Sequence, residues 1–247
     1  MRPAEPVLSV RDLVKTFTLH TIDGRRVSSL HGVDVDVHAG EHVALAGPSG
    51  AGKSSLLRCV YRMYLPDSGS VRLHTADGWT ELTDLSDRAM AHLRGRDFGY
   101  VAQFLAAPPR TGPLGVVTAA GRRRGLDRAA SRDAAADALR RLNLDEALWD
   151  VDCGVLSGGE RQRVNLAAGT VAPPRLLLLD EPVSALDPAN RESALELLGS
   201  LADQGVAVLA VFHDIDAMRR LASRVVHLRD GRVVAQGTPT EILAEVS

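Results

Sequence analysis

Apolar residues recur along this chain at two different spacings. Val33, Val35 and Val37 alternate with Asp34 and Asp36, the two-residue period of a strand with one wet face. Ala39-Gly40 then reads as a turn, and Val43 to Ala46 as a short strand buried on both faces. Residues 7–17, VLSVRDLVKTF, predict an earlier strand, and a glycine-rich loop leads to a helix from about Lys53. Residues 66–84 read as a short hairpin turning at Asp77-Gly78. From about 86 to 150 the texture changes to Ala, Arg and Leu at helical spacing, broken by the Pro/Gly-rich patch at 106–115. Strands and helices alternate after that: a strand at 176–180, a helix at 188–203, a strand at 206–212 and a helix at 214–222. A hairpin around Asp230-Gly231 closes the pattern. Such alternation predicts an α/β fold with a mainly parallel sheet, and the flanking hairpins add an antiparallel N-terminal β layer. The predicted division is a core plus β layer over about 1–85 and 160–247, with an inserted helical subdomain over about 86–159.

Composition narrows the classes. The 247 residues suit one large domain, and 45% hydrophobic residues suffice for a core. A net charge of −2 gives no global field toward nucleic acid, so no nucleic-acid partner is expected. No apolar run approaches the ~18 residues of a membrane span, and MRPAEPVLSV has no apolar leader core. The expectation is a cytoplasmic chain with no direct membrane insertion. Cys59 and Cys153 lie far apart in no metal spacing and read as reduced, half-buried side chains. His31, His38, His42 and His92 also lack metal spacing and are expected on wet surfaces, Trp79 and Trp149 in packing positions, and Arg122–Arg124 on a solvated face. Lys15 and Lys53 are the only lysines among 29 basic residues, which draws attention to Lys53.

Lys53 closes the loop GPSGAGKS, residues 47–54, which fits G-x-x-x-x-G-K-[ST] at every position. Gly47, Gly50 and Gly52 let successive backbone N–H groups turn inward on an anion, and the next helix adds its positive end. Lys53 is suited to the β- and γ-phosphates and Ser54 to Mg²⁺. The expected ATP-binding positions are Gly47, Pro48, Ser49, Gly50, Ala51, Gly52, Lys53, Ser54 and Ser55. A second motif, RLLLLDEP at 175–182, is an apolar strand ending in two carboxylates. Asp180 is placed to hold Mg²⁺ through water, and Glu181 to orient and deprotonate an attacking water. ATP and Mg²⁺ are therefore the expected cofactors.

A third stretch, VLSGGERQRVNLA at 155–167, puts Ser-Gly-Gly at the mouth of a helix with no nucleophile beside it. GPSGAGKS, LSGGERQR and LLLLDEP, in this order and spacing, resemble the nucleotide-binding domain of ABC ATPases over essentially the whole chain. The resemblance implies the ABC-type P-loop fold and ATP hydrolysis at a dimer interface. It implies that Ser157, Gly158, Gly159 and Glu160 close over ATP held by the partner subunit's P-loop in an isologous homodimer. Gln103, in YVAQF, would contact Mg²⁺ and the attacking water, His213, in AVFHD, the γ-phosphate, and Asp187, in SALD, would cross the dimer interface. Phe17, thirty positions before Gly47, would stack on adenine, where the family usually has Tyr. Val183 also departs from the family's commoner Thr, which is expected to be a packing detail.

Features outside those shared motifs resemble a narrower family, the ATP-binding subunits of the bacterial carbon–phosphorus lyase system for phosphonate breakdown. They are YLPDSGSVRL with a following Trp79-bearing segment, VAQFLAAPPR, RRLNLDEALWD, SGGERQRVN, and VFHD in place of the transporter-like THD. This resemblance implies a non-transporter ATPase associated with the C–P lyase core subunits and a second ABC subunit. Its partners would form ribose 1-phosphonate 5-triphosphate from ATP and phosphonate, making it an accessory subunit of the ribose 1-methylphosphonate 5-triphosphate synthase complex. Two other roles stay open: the ATPase subunit of a membrane transporter (a lipoprotein exporter or an importer), and a clamp in which ATP binding matters more than turnover.

Overall fold

The alternating N-terminal segment forms two long strands, β1 (Pro6–Leu19) and β2 (Arg25–His38). Val33, Val35 and Val37 point into the core, while Asp34 on the same strand stays exposed. The structure, a computed structural model, describes residues 5–19, 25–103, 105 and 107–246. β1 and β2 pair antiparallel, and β1 pairs on its other side with β4 (Ser68–Thr75), which pairs with β5 (Gly78–Glu81). The resulting four-stranded sheet runs β2-β1-β4-β5.

Behind it lies a six-stranded sheet in the order β10-β9-β3-β8-β7-β6. Its members are β3 (His42–Ala46), β6 (Phe98–Val101), β7 (Leu176–Asp180), β8 (Ala207–Val211), β9 (Arg224–Arg229) and β10 (Arg232–Gly237). Only the β9–β10 pair in this sheet is antiparallel, so the sheet is mixed. β7 shows why a continuous leucine run makes a strand here. Leu176 and Leu178 pack into the cluster shared with the β layer and α1 (Lys53–Val60), and Leu177 and Leu179 into the cluster on the opposite face. Both faces of the strand are therefore dry, and period-two patterning disappears.

The remaining helices are α2 (Asp87–Arg96), α3 (Pro113–Arg123), α4 (Arg128–Arg141), α5 (Gly158–Thr170), α6 (Pro188–Asp203), α7 (Ile215–Leu221) and α8 (Pro239–Val246). α3, α4 and α5 pack on one another through Val117, Ala120, Ala135, Leu139 and Val164. No helix among the described residues is long and apolar enough to cross a membrane.

Several sequence expectations are corrected. The stretch from 86 is not uniformly helical, because Phe98–Val101 returns to the central sheet as β6, parallel to β7. Gly99 permits that approach: a Cβ there would meet Leu177 at 2.8 Å and Pro174 at 2.9 Å. The β4–β5 turn is Ala76-Asp77, with Thr75 opposite Gly78, one position earlier than expected. His42 is buried rather than wet, since it opens the fully buried strand β3. Trp79 is 38% exposed, lying against the Arg72 guanidinium and the His74 ring, whereas Trp149 packs inside with its indole N–H on the Leu144 carbonyl. Arg124 departs from its exposed neighbours Arg122 and Arg123: its guanidinium donates to the carbonyls of Ala168, Gly169 and Val171 at the end of α5. Both cysteines are free and fully buried rather than half-buried. Val183 is buried in the core, as a packing residue should be. Phe104 and Ala106 of VAQFLAAPPR lie outside the described residues.

Candidate nucleotide site

The glycine loop adopts the backbone that only its composition allows. Gly47, Gly50 and Gly52 have φ of 136°, 80° and 100°. A Cβ on Gly47 would run into the Leu228 carbonyl, and one on Gly52 would lie 2.5 Å from the Ser29 carbonyl. α1 starts directly after Gly52, and no side chain caps it. The N–H groups of its first turn are thus left for an external acceptor, next to the positive end of the helix dipole. Lys53 is only 7% exposed. Its ammonium donates to the carbonyls of Gly47 (2.7 Å) and Pro48 (2.9 Å), and no carboxylate pairs with it among the described residues. Burial lowers its pKa, with Glu181 pulling the other way. Residues 49–55, Ser29, Glu181 and His213 line a cavity of about 280 Å³; Pro48 instead borders the neighbouring cavity. Ser29 is bound to Ser55, hydroxyl to hydroxyl at 2.8 Å.

The two acids at the end of β7 face different neighbours. Asp180 is 4% exposed, with Oδ1 3.4 Å from the Ser54 hydroxyl. Its Oδ2 accepts from the Tyr100 hydroxyl at 2.8 Å and lies 3.8 Å from Arg58. Glu181 follows at φ 53°, a left-handed conformation for a non-glycine residue. That turn sends its carboxylate to His213, Nε2 to Oε1 at 2.8 Å, and to Gln103, whose amide donates to Oε2 at 3.3 Å. Asp214, next to His213, caps α7 and is held by Arg191 of α6.

Ser157 caps α5 and closes a capping box with Glu160: its hydroxyl accepts from the Glu160 N–H, and the Glu160 carboxylate accepts from the Ser157 N–H. Gly158 is exposed and Gly159 half-buried, and none of the four lines the P-loop cavity of its own chain. Asp187 caps α6 through the Asn190 N–H. Phe17 is not among the cavity residues either; its ring meets Tyr64 edge-on at 5.0 Å, with Lys15 over it. The structure therefore gathers the loop, Asp180, Glu181, Gln103 and His213, and leaves Phe17, Asp187 and residues 157–160 outside.

Residues 30–184 match the family model described as ABC transporter. The chain belongs to the ABC transporter family. It is 37% identical over 227 residues to the phosphonates import ATP-binding protein PhnC 2 of Synechococcus sp., covering 88% of this chain and 82% of that one. It is 36% identical to the lipoprotein-releasing system ATP-binding protein LolD 2 of Caulobacter vibrioides, over 94% and 99% of the two chains. A dimeric post-hydrolysis structure of the ATP-binding cassette MJ0796 bound to ADP and Pi superposes with a TM-score of 0.83 at 27% identity, covering 94% and 98%. The fold is thus the ABC-type P-loop architecture, with mixed central sheet and antiparallel N-terminal sheet. ATP with Mg²⁺ is the ligand of this ABC chain, and the donors present fit it. The uncapped α1 terminus and the carboxylate-free ammonium of Lys53 suit phosphate oxygens. No cluster of three or more His, Cys, Asp or Glu among the described residues could cage a metal. Mg²⁺ would be held by the Ser54 hydroxyl, the Asp180 carboxylate and phosphate oxygens together.

Sequence reasoning missed Ser29, Tyr100 and Arg58. Ser29 reaches the cavity only because β2 crosses above α1, and no motif reports it. Tyr100 lies three positions before Gln103, but its direction becomes visible only once β6 is registered against β7.

Proposed function

We propose that this ABC chain binds and hydrolyses ATP as one half of an isologous homodimer, as the cytoplasmic ATPase subunit of the carbon–phosphorus lyase system. The observation that carries the ATPase reading is the Glu181 carboxylate at the mouth of the P-loop cavity, 2.8 Å from His213 Nε2 and accepting from the Gln103 amide. Lys53 and the loop amides, with Gly47–Ser55 around them, bind the β- and γ-phosphates. Ser54, Asp180 and Gln103 would hold Mg²⁺, which would neutralise charge on the phosphate oxygens. Glu181 orients a water and takes its proton as that water's oxygen attacks the γ-phosphorus; the bond to the ADP oxygen breaks, and ADP and phosphate leave. His213 borders both that water and the γ-phosphate. Phe17 supports the adenine, and Asp187 crosses the interface.

Residues 157–160 lie outside their own chain's cavity, which supports a role on the partner copy's ATP. The capping box takes up the N–H groups of Ser157 and Glu160, and between them the helix mouth is formed by the exposed Gly158 and the half-buried Gly159. An anion fits there without a side chain in the way.

The C–P lyase assignment is supported by the segments outside the shared motifs: YLPDSGSVRL, VAQFLAAPPR, RRLNLDEALWD and VFHD. Here the ABC chain is an accessory ATPase, and the chemistry at the ribose belongs to partner subunits. A second reading, the ATPase subunit of a membrane permease, is favoured by the names of the relatives, which include an importer and a lipoprotein-releasing protein. The deciding experiment is a pull-down of tagged Glu181→Gln chain loaded with Mg·ATP from its own cells, read by mass spectrometry. The C–P lyase core subunits, lost with Lys53→Ala, are the expected catch; a multi-span membrane protein in their place would establish the permease reading.

A further inference from the structure

The Asp180 carboxylate is held asymmetrically. A carboxylate on one methylene rotates about a soft, roughly two-fold torsion, so the strand alone does not decide which oxygen faces a metal. Here the choice is made by neighbours on β6 and α1. The Tyr100 hydroxyl donates to Oδ2 at 2.8 Å, with Arg58 at 3.8 Å from the same oxygen, while Oδ1 is turned to the Ser54 hydroxyl at 3.4 Å. We propose that Tyr100 is a positioning residue for the metal carboxylate: its hydroxyl engages Oδ2 and leaves Oδ1 on the Ser54 side for Mg²⁺. The inference rests on the reading of Asp180 as the Mg²⁺ carboxylate.

Three features make Tyr100 suited to this. Its register is set, because β6 pairs parallel with β7, Tyr100 opposite Leu178 and Val101 opposite Leu179, which carries the hydroxyl to the strand end where Asp180 sits. Its ring is braced, stacked on Tyr61 at 4.9 Å and 28°, with the Arg94 guanidinium 4.8 Å from the Tyr61 ring centre. Its hydroxyl is the donor of the pair, because the carboxylate oxygen it meets can only accept. A neutral donor to a buried charge is among the stronger hydrogen bonds and shapes a metal ligand from behind. Tyr100 also lines a groove of about 300 Å³ together with Arg94, Arg124 and Asn165.

The test reads metal rather than turnover. Mn²⁺ in place of Mg²⁺ is titrated into the full chain with ADP by electron paramagnetic resonance, for wild type, Tyr100→Phe, Asp180→Asn and the double variant. Affinity for a fluorescent ADP analogue is measured in parallel in EDTA. Tyr100→Phe removes one oxygen and keeps the stack on Tyr61, so the EDTA affinity should not change. Mn²⁺ affinity should fall about tenfold. In the Asp180→Asn background Tyr100→Phe should cost nothing more, since its effect passes through that carboxylate. An unchanged Mn²⁺ affinity in Tyr100→Phe, alongside a loss in Asp180→Asn, overturns the positioning role and leaves the metal reading standing. An equal loss in the Asp180→Asn background also overturns it. An unchanged Mn²⁺ affinity in Asp180→Asn overturns the reading of Asp180 itself.

Discussion

Replacing Glu181 by Gln separates the chemistry from the architecture. Glutamine keeps the shape and can keep φ 53°, since the backbone strain there is the same for both side chains. Its carbonyl oxygen can still accept from His213 Nε2, the contact now at 2.8 Å, but its NH₂ faces the Gln103 amide, which must flip to present its oxygen. The folded state thus exchanges charge-assisted hydrogen bonds for neutral ones, a cost of about 1 kcal/mol at most given that His213 is 62% exposed. The catalytic cost is larger. Losing a general base is worth roughly 10²–10⁴ in rate, or about 3–5 kcal/mol of barrier. Single-turnover phosphate release at saturating Mg·ATP gives the rate, and a fluorescent analogue gives nucleotide affinity, which should stay near wild type. Because Glu181 and His213 touch, adding His213→Ala to Glu181→Gln should slow release far less than His213→Ala slows the wild type. A Glu181→Gln chain within tenfold of wild-type turnover, with affinity unchanged, would refute Glu181 as the base.

The loop glycines should respond unequally: Gly47→Ala, whose Cβ runs into the Leu228 carbonyl at φ 136°, is expected to cost about 3 kcal/mol, and Gly50→Ala, whose Cβ meets nothing within 4 Å, about 1 kcal/mol, read as shifts in Tm. Arg124→Met leaves the Ala168, Gly169 and Val171 carbonyls without their donor and should destabilise by about 2–4 kcal/mol in urea, whereas Arg123→Met should have little effect; equal losses would contradict the assignment. Glu41 receives two bonds from Arg224, at 2.7 and 3.2 Å, and although burial pushes its carboxyl up, that guanidinium and the His38 N–H hold it below the ordinary range. A depressed carboxyl stabilises above its unfolded pKa of about 4.3 and loses that contribution as pH falls through the folded value. Glu41→Gln should therefore cost about 1–2 kcal/mol at pH 7, with the gap to wild type closing as the pH is lowered toward 3; a gap that persists there would refute the pairing.

Most of the architecture is legible in the chain because local and global signals agree. The valine alternation in 33–37, the Gly52-Lys53 junction and the Asp230-Gly231 turn each appear where the pattern puts them. The exceptions share a cause. β6 has only four residues and follows directly on a helix, too short for either period to register. Arg124 looks like its two neighbours in sequence, yet it alone is angled back over the end of α5. The candidate site divides the same way. Backbone-encoded features such as the glycine loop are visible as residue types, whereas Tyr100 and Ser29 act through side-chain directions that depend on strand register, and Arg58 through the face of α1 it occupies.

The end of β7 shows how little covalent difference is needed to give two carboxylates separate surroundings. Asp180 is the last residue of a buried strand and stays inside, its oxygens divided between Ser54 and the Tyr100–Arg58 side. Glu181 is one residue on, and its left-handed φ reverses the chain so that its carboxylate reaches Gln103 and His213, the latter just past the end of the adjacent strand β8. That conformation costs about 1–3 kcal/mol for a residue with a Cβ, and it is held by the Glu181 N–H donating to the Val211 carbonyl at 3.0 Å. A strand that ran on straight would point two successive side chains to opposite faces and bury one of the acids in leucine. The strained residue instead sets the two apart, Asp180 inside beside Ser54 and Glu181 at the cavity mouth, the separation that the proposed metal-binding and proton-abstracting roles would use.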